Sequence, residues 1–192
     1  MAQQNLQKIF DRYKYDQSIA TKSRNWFTQQ ANLLMNKKIN EKKLFSEQRV
    51  VSKLVPGKLY MFYYDPKYKD ELPYYDRFPL VFPYSATPDG FMGLNMHYLP
   101  HFHRVQLLTR LMQFVNNKNL DENSRIRYSW ELISGVSRFR DAEPCIKHYL
   151  KSHVQSTFIE VEGQDWHTAM MLPVERFVGS NKQTVWGDSL RR

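Results

Sequence analysis

The spacing of hydrophobic positions changes along the chain, and each change predicts a different kind of element. From Ser18 to Asn36, Ile19, Trp26, Phe27, Ala31, Leu34 and Met35 recur roughly on one helical face, with Ser18 or Thr21 as the N-cap. This predicts a helix. The following stretch, NKKINEKKLFSEQRVVSK, is charged and weakly periodic, and reads as a helix extension or an exposed linker. The pattern switches at Pro56-Gly57. In KLYMFYY, Leu59, Met61 and Tyr63 alternate with Tyr60, Phe62 and Tyr64, and both sets are apolar, as in a strand covered on both faces. DPKYKDELPYYD is a turn-rich loop built on Pro66, Asp70 and Pro73. FPLVFPY resumes extension, with Pro79 and Pro83 confining it to an edge or a bent strand. After the turn TPDG, FMGLNMHYL predicts a third strand.

Beyond Pro100 the period becomes helical. HFHRVQLLTRLMQFV aligns Val105, Leu108, Leu111, Met112 and Val115, and Asn116-Asn117 ends the run. SRIRYSWELISGVSRF predicts a second helix with Ile126, Trp130, Ile133 and Val136 inward, and EPCIKHYLKSHV a third, with Pro144 in its first turn. STFIEVEG then reads as a strand and WHTAMMLPVERFV as another. The tail SNKQTVWGDSLRR docks through Val185 and Trp186. Three aromatic strands, a helical insertion and two further strands predict an α+β fold. The specific expectation is a small, bent, five-stranded β-barrel of the Src-homology kind, with an N-terminal helix and a helical insertion. The division expected is a basic N-terminal helical arm, 1–53, and a β-barrel domain, 54–192, with its helical insertion at about 101–153.

Charge adds a second layer. The net charge is +9, but residues 1–53 hold 11 Lys and Arg against 4 Asp and Glu, and residues 101–153 hold 9 against 5. The segments between and after them are close to neutral. Polyanion contact is therefore expected of Lys22, Arg24, Lys37, Lys38, Lys42 and Lys43 in the arm, and of Arg104, Arg110, Arg125, Arg127, Arg138, Arg140, Lys147 and Lys151 in the helical block. The alternative is a solubilising surface or one that meets acidic proteins. Aromatic residues make up 15% of the chain, more than a core alone requires, and Tyr64, Tyr68, Tyr74, Tyr75 and Trp186 are candidate protein-interface anchors.

Candidate chemistry is sparse. Cys145 is the only cysteine, which excludes an internal disulfide and a multi-cysteine zinc site. The polar N-terminus lacks a signal-peptide pattern, and no run of about 18 apolar residues offers a membrane span. His97, His101 and His103 cluster around Pro100, but the last two would project about 200° apart on a helix, which suits boundary residues better than a metal site. Cys145 and His148 stand one helical turn apart in the expected third helix, with no oxyanion hole nearby, so a buried thiol is the default. Asp65, Asp70, Glu71 and Asp76 could hold a divalent metal for nuclease work, against a plainer reading as turn caps with a salt bridge to Arg77. No Gly-rich phosphate loop, GxSxG elbow or HExxH occurs. No catalytic residue, cofactor, metal or small-molecule substrate is expected, and the chain reads as a binding or assembly protein.

The runs PGKLYMFYYDPKYKDELPYYDRFPLVFPY, GFMGLNMHYLP, PCIKHYLKSHVQSTFIEV and MLPVERF, in that order between Asp11 and Arg192, resemble a family of virion proteins of T-even-like myoviruses. That family is of the DNA end protector or head–tail completion type. The resemblance implies a minor late protein, made in the host cytoplasm and carried in the virion, beside packaged DNA ends or at the head–tail junction. Its partners would be other phage structural proteins and DNA. It implies no cofactor and no catalytic residues. An architectural tail or baseplate subunit without DNA contact is the alternative, and a metal-dependent nuclease a further one.

Overall fold

A segment apolar on both faces belongs inside a sheet, and Leu59–Met61 lie there, while Tyr63 just beyond is exposed. The computed structural model describes residues 49–191 except 116, 138–139 and 172–174. The helix expected over 18–36 lies outside the described residues. The strands are β1 (Arg49–Val51), β2 (Leu59–Met61), β3 (Tyr75–Asp76), β4 (Leu80–Ala86), β5 (Gly90–Asn95), β6 (Ile146–Leu150), β7 (Phe158–Val161) and β8 (Phe177–Val178). The helices are α1 (His101–Val115), α2 (Glu122–Val136), α3 (Trp166–Met171) and α4 (Lys182–Arg191).

The chain is α+β, but its main sheet is not a five-stranded barrel. Six antiparallel strands run in the order β1-β7-β2-β4-β5-β6, and β3 pairs with β8 in a separate two-stranded ribbon. Among the described residues no pairing joins β1 to β6, so the sheet keeps two edges. The extra strands come from places whose local pattern is weak: β1 begins the sheet at residue 49, inside the expected arm, and β6 comes from the expected third helix.

β6 shows why that helix is absent. Pro144 and Cys145 close a 3-10 turn over Arg140–Cys145, and the next five residues pair with β5 from Leu94↔Ile146 to Gly90↔Leu150. Tyr149 is buried and His148 exposed, the two-residue alternation of a strand. Gly90 permits this pairing at close range, because a Cβ there would collide with the Tyr149 carbonyl. The opposite error occurs at residues 166–171, expected as strand and found as α3. Trp166, Ala169 and Met170 fall at helical spacing and are buried, and the Trp166 indole donates to the Val161 carbonyl at 2.8 Å.

Pro83 does not force β4 to an edge. The strand lies between β2 and β5, and the register shifts between Pro83 and Ser85, a bulge that absorbs the missing N–H donor and bends the strand. The turn before β2 is set by Gly57, whose φ of +88° favours glycine and whose Cβ would approach the Ile126 carbonyl oxygen at 2.5 Å.

The two faces of the sheet are packed differently. On one, Leu59, Met61, Leu80, Phe82 and Leu94 meet Leu107, Leu108 and Leu111 of α1, Ile133 and Val136 of α2, and Met170 of α3. Each such side chain contributes about 1.5–3 kcal/mol when fully buried. On the other, Phe62, Tyr64, Val81, Phe91 and Tyr149 form an aromatic cluster. Phe62 makes edge contacts to Tyr149 at 5.2 Å and to Phe158 at 5.1 Å. Trp130, expected inward on α2, is instead exposed at the rim and donates to the Tyr84 carbonyl at 2.9 Å. Val185 of α4 is fully buried and Trp186 is partly buried, as the docking of the tail requires.

Candidate nucleic-acid interface

A chain of buried polar groups holds the ribbon, α1 and α4 together. Asp76 on β3 accepts from Asn95 Nδ2 at 3.0 Å and lies 2.7 Å from His97 Nδ1, while its other oxygen accepts from the Phe78 N–H at 3.1 Å. The last contact makes Asp76 a turn cap, but the pairing partner is His97 rather than Arg77. The carbonyl of His97 accepts from the Trp186 indole at 2.8 Å and from Arg104 Nη2 at 3.0 Å. Arg104, expected to meet phosphate, is instead fully buried on α1, donates also to the carbonyls of Leu99 at 2.7 Å and Met170 at 3.2 Å, and pairs with Glu175 at 2.6 Å.

Such a pair is sustained by its neighbours. Burial by itself lowers the Arg104 pKa, and the Glu175 charge opposes that. For Glu175 burial works to raise the pKa, but the His101 ring, 3.7 Å away, and the charge of Arg104 outweigh it and hold the carboxyl well below its usual range. This network is a brace. Burial also pushes the thiol of Cys145 up to about 12, so it is a poor nucleophile, and His148 stands on β6 rather than one helical turn away.

Above the aromatic face lies a concave pocket of about 460 Å³. One wall is the loop between Tyr64 and β3, carrying Lys67, Tyr68, Leu72 and Tyr74; the other is edge strand β6, carrying Lys147 and Tyr149; Asp76, Asn95 and Tyr98 lie at its floor. The loop is braced at its base. The Asp65 N–H donates to the His153 carbonyl at 3.1 Å, His153 Nδ1 lies 2.8 Å from the Asp65 carbonyl, and Lys69 pairs with the Asp65 carboxylate at 3.0 Å. Lys147 Nζ stands 4.1 Å from the centre of the Tyr98 ring, and Lys67 Nζ 5.1 Å from that of Tyr68. Asp89 also lines the pocket, held by Thr87 at 3.1 Å and by His148 at 3.1 Å.

The expected polyanion contacts are only partly in view. Lys22, Arg24, Lys37, Lys38, Lys42, Lys43 and Arg138 lie outside the described residues, and Arg140 falls on the 3-10 turn before β6. Arg125 and Arg127 both belong to α2. Arg125 donates to the Asn117 carbonyl at 3.2 Å beside a cleft of about 340 Å³. Arg127 is exposed, 5.1 Å from the Tyr128 ring and 3.7 Å from Glu131. Of the aromatic candidates, Tyr64, Tyr68, Tyr74 and Tyr75 line the pocket, and Trp186 stands apart on α4. Tyr64 is buried, its hydroxyl accepting from the Leu150 N–H at 3.2 Å, whereas Tyr68 is exposed at the mouth.

The four acidic residues of the loop do not converge either. Asp65 pairs with Lys69 and Asp76 is committed to the buried network, and among the described residues no group of three or more His, Cys, Asp or Glu side chains could hold a metal ion. Sequence reasoning overlooked Lys67, Asn95 and Tyr98. No local signal marks those three; for the opposite wall, an alternation in residues 146–150 read as a strand would have placed Lys147 and Tyr149 on one side. Among the described residues no helix is long and apolar enough to cross a membrane.

No curated protein and no solved structure matches the chain. A protein family does, over residues 4–188, so among the described residues the match takes in both sheets, α1 to α3 and most of α4. The family is named for the protection of DNA, which implies association with DNA and a role other than catalysis. On that match the chain belongs to the Phage T4 terminal DNA protecting protein family.

Proposed function

We propose that this protein binds the termini of linear duplex DNA and shields them by occupying them, as a non-enzymatic part of a bacteriophage particle. The observation that carries this reading is the placement of charge. Residues 1–53 and 101–153 hold 20 of the 28 Lys and Arg, while residues 54–100 and 154–192 are close to neutral. Binding to phosphates depends on such local excess rather than on net charge. In this reading Lys22, Arg24, Lys37, Lys38, Lys42 and Lys43 work with Arg125, Arg127, Arg138 and Arg140 to hold the backbone near the end. The protein is made in the host cytoplasm and rides with the packaged DNA at the head–tail junction, among other phage structural proteins.

An exonuclease assay on linear duplex tests it. Pre-incubation with the full chain slows digestion at about 50 mM salt, and the protection fades steeply as salt rises. Digestion at the unprotected rate at low salt, or protection indifferent to salt, refutes the reading. Cross-linking within intact particles separates it from an architectural baseplate role. A protein at a DNA end cross-links to DNA and occurs in few copies, and a baseplate subunit cross-links to sister copies in a ring.

A further inference from the structure

The basic surfaces explain attraction to DNA but not a preference for its ends, and the aromatic pocket supplies one. We propose that the pocket between the Tyr64–Tyr75 loop and β6 receives a single unpaired nucleotide at the DNA terminus. The base would stack on tyrosine, and its phosphates would meet Lys67 and Lys147. This inference rests on the reading above and names the part of the DNA that the protein distinguishes.

Size is the first argument. At about 460 Å³ the concavity lies in the range of small-ligand sites, so it admits one nucleotide and excludes a duplex. A duplex offers an unpaired base most cheaply at its end, where one side of the stack is already missing and fraying costs least.

Chemistry is the second. Asn95 gives its amide N–H to Asp76 and takes the His97 N–H, and Asp76 takes three donors, so the polar floor is turned inward. The ring of Tyr68, exposed by 54%, stands at the opening with the exposed Lys67 beside it, and the Lys147 ammonium lies deeper, 4.1 Å from the centre of the Tyr98 ring. A tyrosine face and a cation bind any base through stacking and any phosphate through charge, without reading sequence. That tolerance suits a ligand defined by being an end. Asp89, the carboxylate lining the pocket besides the buried Asp76, is engaged by His148 and Thr87, each at 3.1 Å.

Preorganisation is the third. The contacts of Asp65 with His153 and Lys69 fix the base of the loop, and β3 pairing with β8 fixes its far end. Little ordering remains to be done on binding.

The test compares the affinity of the full chain for two blunt duplexes, identical except that one carries a terminal mismatch. With the unpairing cost removed, the wild type is expected to bind the mismatched end about tenfold tighter. Tyr68→Ala, at a side chain that supports no core, should bring that preference close to one. Lys67→Gln and Lys147→Gln should each lower the dependence of log affinity on log salt by about one. If both duplexes bind equally well, or if the preference survives in Tyr68→Ala, the pocket proposal is overturned while protection of ends stands. If linear duplex binds no better than circular duplex, the functional reading itself falls, and the pocket proposal with it.

Discussion

The Asp76–Glu175 network and the pocket mouth both combine charged and aromatic side chains, but they differ in whether the charged groups are enclosed by the protein. In the network, Arg104 serves three carbonyls and Glu175, and Asp76 serves a backbone N–H, Asn95 and His97. At the mouth, Lys67 and Tyr68 lean on each other and on solvent. A buried charge whose partners are all internal can only hold a structure, because any ligand would have to break a pair already made. A charge at a rim can exchange water for a ligand at low cost. The distinction separates brace from site more sharply than residue type does.

Substitutions can break that comparison, and the largest effect belongs to the brace. Arg104→Leu should lower unfolding free energy by about 3–5 kcal/mol, since it strands the Glu175 carboxylate in the interior. Urea denaturation measures this, and the double variant Arg104→Leu with Glu175→Leu should regain part of the loss. A cost under about 1 kcal/mol in the single variant would mean that the pair is not sealed.

Acid should act on the same place. The folded-state pKa of Glu175 lies below its unfolded value, so its contribution is complete above the usual carboxylate range and drains away as pH falls through and below it. Stability measured from pH 7 down to pH 3 should fall in the wild type. Glu175→Gln should begin lower and lack that part of the slope.

Smaller effects are expected outside the brace. Asp121 caps α2 by accepting the Ser124 N–H at 2.8 Å, so Asp121→Ala should cost about 1 kcal/mol in the same denaturation series. At the mouth, Tyr68→Ala should change stability by no more than about 0.5 kcal/mol. A larger loss there would make Tyr68 part of the scaffold and erase the contrast.

Several elements were legible without a fold. The helical period of residues 101–115 gives α1 with those limits, and the both-face apolar pattern of residues 59–64 places β2 inside the sheet. The tail docks through Val185 and Trp186 because two apolar residues in a polar stretch have one plausible use. Residues 146–150 and 166–171 were misread, the first as helix and the second as strand, because five or six residues carry too few turns of any period to decide. The pocket was only half legible. Its tyrosines stand out in the loop, but Asn95, Tyr98 and Lys147 reach it from segments up to about eighty residues away.

By itself the sequence determined where charge is concentrated, which segments must be buried, and that the chain is α+β, because these follow from composition and local period. Tertiary structure decided that Ile146–Leu150 is an edge strand, since its hydrogen-bonding partner is β5 and no local preference outweighs five paired residues. It also decided that Asp76 is a brace and Lys67 a rim cation. Both lie in one acidic, aromatic loop, and only burial against His97 and Asn95 distinguishes the carboxylate that is sealed from the ammonium that remains in water.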